Sequence, residues 1–252
     1  MTPPTVVLWD VDGTLVRSNG GRVSVSAFLR ALREVAELEA ELPYPKDSGG
    51  KTDEQIALEV LISADLAEEH AIGLLPSFRQ LYLRELEAVR EQLVPDLRVL
   101  PGVREALEAL RERGVTQTLL TGNLQTIARL KLTCAGLADY VDFGLGAYGS
   151  DHRDRTCLVP ITRQRLRERL GTDDANIVVV GDTPRDIACA RAGGARAIAV
   201  ATGNFPRQAL MAHAPDALLD DLQDTEAVVA TLLQQSPALQ LGTGPSSRAP
   251  IV

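Results

Sequence analysis

Apolar positions along the chain fall into two kinds of run. Residues 5–10 are short, β-branched and almost wholly apolar, which predicts a buried strand. The run stops at the polar, glycine-containing turn Asp10-Val11-Asp12-Gly13-Thr14. From about residue 20 to residue 93 the period is helical, with Val23, Ala27, Leu29, Leu32, Val35 and Leu38 at near-helical spacing. A break at Pro43-Tyr44-Pro45 through Gly49-Gly50 separates this helix from others predicted over 56–61 and 77–93. Thr52 reads as the N-cap of the second helix, with Gln55 as its capping-box partner. No strand is predicted between residues 20 and 93.

Beyond Pro95 the pattern alternates. Helices are predicted over 103–113, 124–135, 159–170, 185–192 and 225–233, and strands over 115–120, 142–146, 176–180, 197–200 and 217–219. Such alternation predicts an α/β fold with a doubly wound parallel sheet. The sheet core is then made of residues 1–17 and 98–235, with a purely helical domain, 18–97, inserted at a turn between sheet elements. Residues 236–252, rich in Gly, Pro and Ser, read as a mobile tail.

Composition narrows the function. The 252 residues are 45% hydrophobic and 24% charged, an ordinary globular balance. Lys plus Arg number 26 against 34 Asp plus Glu, giving a net charge of −8, which argues against general nucleic-acid binding. No apolar run approaches the roughly 18 residues of a membrane span, and the first apolar run is too short for a signal peptide. Cys134, Cys157 and Cys189 are scattered, so reduced thiols in a cytoplasmic protein are expected, as monomer or homodimer. Lysine occurs only at 46, 51 and 131, so a role that lysine often fills can fall here to arginine.

In an open parallel sheet, ligands bind beyond the carboxyl ends of the strands. Three strands end there in polar residues: Asp10-x-Asp12-Gly13-Thr14, Thr121-Gly122-Asn123 and Gly181-Asp182-Thr183-x-x-Asp186. Each Asp or Thr alone is an ordinary turn former or helix cap. Together they bring four carboxylates to one rim, and clustered carboxylates stay ionised only with a cation. Oxygen ligands without nearby His or Cys point to Mg2+, and glycine-adjacent N–H groups to an anion such as phosphate.

These segments resemble the first, second and fourth motifs of the haloacid dehalogenase (HAD) superfamily, in order, over roughly residues 5–235. The helical insert resembles the C1-type cap of phosphoglycolate-phosphatase-like members, so a HAD core of Rossmann-like type with an inserted α-helical cap is expected. The resemblance implies Asp10 as nucleophile forming an aspartyl-phosphate and Asp12 as general acid, then base. It implies metal held by the Asp10 side chain, the Asp12 carbonyl and Asp182. Thr121, Gly122 and Asn123 would bind the phosphoryl oxygens, and Asp186 would brace the metal shell or the third-motif cation. That third motif departs from the family, which normally has a Lys there. This chain offers Arg155, with Arg153 as competitor. Dehalogenases of the superfamily lack Asp at position 12, so phosphoryl transfer is expected. Lys51, in a segment resembling the family's cap loop, is a candidate contact to a substrate carboxylate or phosphate, and Arg22 and Arg30 are weaker ones. The implied activity is a Mg2+-dependent phosphatase of a small phosphorylated metabolite, phosphoglycolate first. The alternatives are a sugar-phosphate phosphatase, a β-phosphoglucomutase-like mutase, or a catalytically silent binding protein of HAD fold.

Overall fold

The structure, a computed structural model, describes residues 3–20, 22–171 and 174–234; the expected tail at 236–252 lies outside them. β1 (Thr5–Trp9) holds Val6, Val7, Leu8 and Trp9 without measurable exposure, as a central parallel strand covered on both faces requires. It pairs in parallel with β4 (Thr116–Thr121) and β6 (Asn176–Gly181). β5 (Ala147–Tyr148) lies outside β4, while β7 (Arg196–Val200) and β8 (Ala217–Leu219) continue beyond β6. The order is β5-β4-β1-β6-β7-β8, every pair parallel. Trp9 pairs with both Leu119 and Val180, so β1, β4 and β6 release their motifs side by side on one rim.

Between β1 and β4 the chain leaves the sheet through β2 (Val16–Ser18) and returns through β3 (Leu97–Val99), which pair antiparallel. Neither strand was predicted. Three residues are too few to show alternation, and only their mutual pairing makes them strands. Between them lie α1 (Arg22–Val35), α2 (Asp53–Ser63), α3 (Glu68–Ala88) and α4 (Arg90–Asp96), the helical cap. Phe28, Phe78 and Tyr82 form its centre, with Phe28 edge-on to Tyr82 at 5.2 Å between ring centroids and Phe78 stacked on Tyr82 at 5.7 Å. Thr52 caps α2 by accepting from Gln55 N at 3.1 Å. The Gln55 side chain turns instead to Glu59, 3.2 Å away, because Glu59 lies one turn further along the same face.

The remaining helices are α5 (Val103–Glu112), α6 (Gln125–Ala135), α7 (Leu158–Leu170), α8 (Pro184–Ala192), α9 (Arg207–Ala212) and α10 (Thr225–Leu233). One apolar cluster joins the cap helices to the β1 face carrying Val7 and Trp9 and to α5, α6 and α10. A second lies across the sheet under α7 and α8. The strand expected at 142–146 begins only at Ala147. Asp142 Oδ1 accepts from Gly144 N at 2.8 Å and its carbonyl from Leu145 N at 3.3 Å, so this stretch closes as a turn instead of extending.

Candidate active site

The turn after β1 is tied down by its own backbone. Asp10 N donates to Val180 O at 2.9 Å, and Gly13 N to Val16 O at 2.8 Å. Asp10 is therefore fixed at the strand end, 4% exposed, facing the ends of β4 and β6. Gly13 sits at φ +92°, and a Cβ there would overlap the Asp182 carboxylate; one at Gly203, after β7, would overlap it from another direction. Two glycines thus make the space that Asp182 occupies.

Asp10, Asp182 and Asp186 have carboxylate oxygens within 4.8 Å of one another, all buried. Burial first, and the neighbouring carboxylates after it, push Asp10 up to about 7 against the pull of Arg155. Burial and Asp10 hold Asp182 well above the usual carboxylate range. Negative charge is under-compensated there, the condition a divalent cation relieves, and an all-carboxylate donor set suits a hard one. The residues fit a divalent metal on the side of Asp10 and Asp182. Asp186 is committed elsewhere: Oδ2 accepts from Thr183 N at 2.9 Å in the α8 capping box, and Oδ1 from Arg155.

Arg155 stands in a turn of 3-10 helix, Arg155–Cys157, and is 6% exposed. Its Nη2 donates to Asp10 Oδ1 at 2.8 Å and to Asp186, and its Nη1 to Gly50 O of the cap loop at 3.0 Å. Arg153 has an exposed side chain, and its carbonyl accepts from Thr52 Oγ1 at 2.9 Å. The structure therefore brings Arg155, and not Arg153, to the carboxylates.

Asp12 turns the other way. Its Oδ2 accepts from Asn123 Nδ2 at 2.8 Å and from Lys131 Nζ at 2.6 Å. Asn123 also reaches Thr121 Oγ1 at 3.3 Å, through both its amide nitrogen and its backbone N–H. Two buried polar atoms here, Asn123 Oδ1 and Arg155 Nε, have no partner among the described residues. Lys131 was not singled out from the sequence, though a signal existed. Leu124, Ile127, Ala128 and Ala135 form the buried stripe of the segment running into α6, and a lysine at 131 falls on the same stripe.

The cap loop closes directly onto these groups. Asp53 Oδ2 accepts from Leu124 N at 2.8 Å, so a cap residue caps the core helix α6, and Asp53 N donates to Gly122 O at 2.8 Å. A Cβ at Gly122 would overlap Lys51 O, so the approach depends on glycine. Asp53 is pushed up to about 6, mainly by burial, against the pull of Lys131 and the Leu124 N–H. Lys51 lines the cavity, but its Nζ is paired with Glu59 Oε2 at 2.8 Å and lies 3.6 Å from Asp47. Arg22 is exposed, and Arg30 pairs with Glu85 at 2.7 Å; neither lines the cavity. The cavity has a volume of about 500 Å³ and extends from Asp10 up to the cap aromatics.

A family model described as haloacid dehalogenase-like hydrolase matches residues 4–194. The chain is 30% identical over 241 residues to "Probable phosphatase IndB" of Dickeya dadantii, covering 92% of this chain and 96% of the relative. It is 29% identical to the phosphoglycolate phosphatase of Nitrosospira multiformis, covering 80% and 85% of the two chains. In fold it is similar to the crystal structure of CbbY from Rhodobacter sphaeroides in complex with phosphate, with a TM-score of 0.61 at 18% identity over 88% of this chain and 96% of that one.

Proposed function

The chain belongs to the haloacid dehalogenase-like hydrolases, and on that footing we propose that it hydrolyses a small phosphomonoester through an aspartyl-phosphate on Asp10, with Mg2+ as its metal. The observation that carries the reading is Asp10 itself: buried at a strand end, gripped by Arg155 at 2.8 Å, and within reach of a carboxylate cluster that suits a divalent cation. When bound, Mg2+ would be held by Asp10, Asp182 and the Asp12 carbonyl, and would neutralise charge on the phosphoryl oxygens.

In the first step a carboxylate oxygen of Asp10 attacks phosphorus and the bond to the leaving oxygen breaks. Arg155 holds Asp10 in place through its Oδ1, which leaves Oδ2 as the attacking oxygen. Asp12 gives its proton to the leaving oxygen. Lys131 and Asn123 both donate to its Oδ2, which fixes the carboxyl so that the exchange occurs at Oδ1. In the second step Asp12 takes a proton from water, the water oxygen bonds to phosphorus, and the Asp10–phosphorus bond breaks. Thr121, Gly122 and Asn123 receive the transferring oxygens, and the cap loop excludes bulk water.

Phosphoglycolate is the substrate suggested by the cap resemblance and by the name of the Nitrosospira relative. For this chain it would rely on Lys51 as the counter-charge to its carboxylate, and that ammonium already carries Glu59.

The deciding experiment is phosphate release from a panel of phosphomonoesters in Mg2+ and in EDTA, beside Asp10→Asn. Release in Mg2+ that EDTA abolishes, and that falls at least about 10³-fold in Asp10→Asn, is expected for loss of a nucleophile. Equal release by wild type and variant would overturn the reading.

A further inference from the structure

Aromatic side chains are scarce in this chain, 4 Phe, 4 Tyr and 1 Trp, and from the sequence alone no platform for a ring is evident. The structure gathers Phe28, Tyr44, Tyr82 and Phe205, four of those nine, on the wall of one cavity. They arrive from separate places: α1, the loop before α2, α3, and the loop after β7. Phe28 stands at the centre of the cap side, with Tyr44 edge-on at 5.6 Å and Tyr82 edge-on at 5.2 Å between ring centroids. Ile56 and Val25 complete the apolar lining. Ser24 is among the residues lining the cavity, and its Oγ is buried without a partner among the described residues.

The charged groups on the wall point to the same conclusion. Arg155 and Lys131 are engaged by Asp10 and Asp12 at the phosphoryl end. Lys51, the cap lysine on the wall, is neutralised by Glu59 at 2.8 Å. Arg17 is exposed and holds Asn204 Oδ1 at 2.9 Å and Thr202 O at 3.2 Å. The cap wall therefore offers a substrate the half-buried ring of Tyr44 backed by the buried Phe28 and Tyr82, and a lysine already paired, while Arg17, on the hinge strand β2, is held by neutral acceptors alone. The volume, about 500 Å³, falls within the roughly 300–1,000 Å³ of pockets that enclose ligands far larger than a two-carbon acid.

We propose that the substrate is a phosphomonoester whose alcohol is uncharged and carries a ring, seated against Phe28, Tyr44 and Tyr82 with a hydroxyl or other polar group at Ser24. This rests on the phosphatase reading of the same site. Burying one ring face against aromatic walls favours a ring over a short carboxylate, which would face apolar walls and a cation already paired.

The test compares three esters of primary alcohols, so that the leaving groups are alike: benzyl phosphate, methyl phosphate and phosphoglycolate. The expected result is a kcat/KM for benzyl phosphate at least about tenfold above both others, the scale of one ring's partial burial. Tyr44→Ala should reduce the benzyl-to-methyl ratio about tenfold, and Phe28→Leu, which keeps the cap core apolar, should lower the same ratio. Phosphoglycolate turned over faster than benzyl phosphate would overturn the proposal, as would an unchanged ratio in both variants. If no ester is hydrolysed, the phosphatase reading fails, and calorimetric binding of the same esters to the wild-type protein decides the cavity's preference independently. Tighter benzyl phosphate upholds the ring subsite. Tighter phosphoglycolate, or no binding, removes it.

Discussion

Arg155 concentrates the site's departure from the usual pattern in one side chain. A lysine there would bring one ammonium to the carboxylates. The guanidinium instead spans Asp10, Asp186 and, at 3.0 Å, the cap carbonyl of Gly50. An ammonium on a shorter stem cannot reproduce that fork. Arg155→Lys should therefore keep the fold but lower kcat/KM for phosphate release about 10- to 100-fold, with part of the loss in KM because the tie to the cap loop goes too. Arg155→Ala leaves Asp10 and Asp186 buried without their counter-charge and should cost about 3–5 kcal/mol in urea denaturation. At this scale the sequence was informative where chemistry is carried by strand ends: Asp10, Asp12, Thr121 and Asp182 all stand on one rim. It was less so where a residue acts from a neighbouring helix. Lys131 reads as one more surface lysine until the buried stripe it shares with Ile127 and Ala128 is traced.

Among the elements, the loop entering α2 carries the most consequence. Its Asp53 is the N-terminal acceptor of α6, an element of the other layer. The groups facing it are Lys131 from α6, Asp12 from the turn after β1, and Glu54 beside it on α2. Its carboxyl titrates near 6 when folded, against an ordinary value of 3.8, so the folded chain holds this proton more tightly than the unfolded one. The contribution to stability is then fullest below the ordinary value and is lost as pH rises through about 6. Asp53→Asn keeps an acceptor for Leu124 N–H and removes the ionisation. The wild type should accordingly lose melting temperature relative to Asp53→Asn between about pH 4 and pH 6, and the gap should level off above that; parallel curves would show that Asp53 does not titrate in this window. The helices and long strands were legible because their periods run over many residues. The hinge strands β2 and β3 were not, since three residues carry no period. Nor was the tie from Asp53 to α6, which joins positions 71 residues apart.

For the molecule as a whole, the inserted block looks independent in sequence, with its own helices and its own aromatic centre. The apolar cluster shows otherwise, because the residues around Phe28 and Phe78 continue without a gap into those of α5, α6 and the β1 face. Two units sharing one core should unfold together. Trp9, the only tryptophan, lies in β1 with its Nε1 on Gln117 Oε1 at 3.2 Å, so its fluorescence reports the sheet and the core packed on that face. Helical circular dichroism reports chiefly the cap and the flanking helices. The two urea curves are expected to coincide. A helical transition completed before the fluorescence moves would mean that the cap unfolds on its own.

The scarcity of lysine gives the cavity a chemical address. Of three side-chain amines, Lys46 is exposed, while Lys51 and Lys131 stand on the cavity wall with side chains only 10% and 7% exposed. Among the lysines, an amine-directed reagent applied to the folded protein has Lys46 as its open target. Any acylation at 51 or 131 is then a footprint of the cap lifting, readable by peptide mass without knowing the substrate. A ligand that seals the loop against Gly122 should erase that footprint while leaving the label on Lys46 untouched.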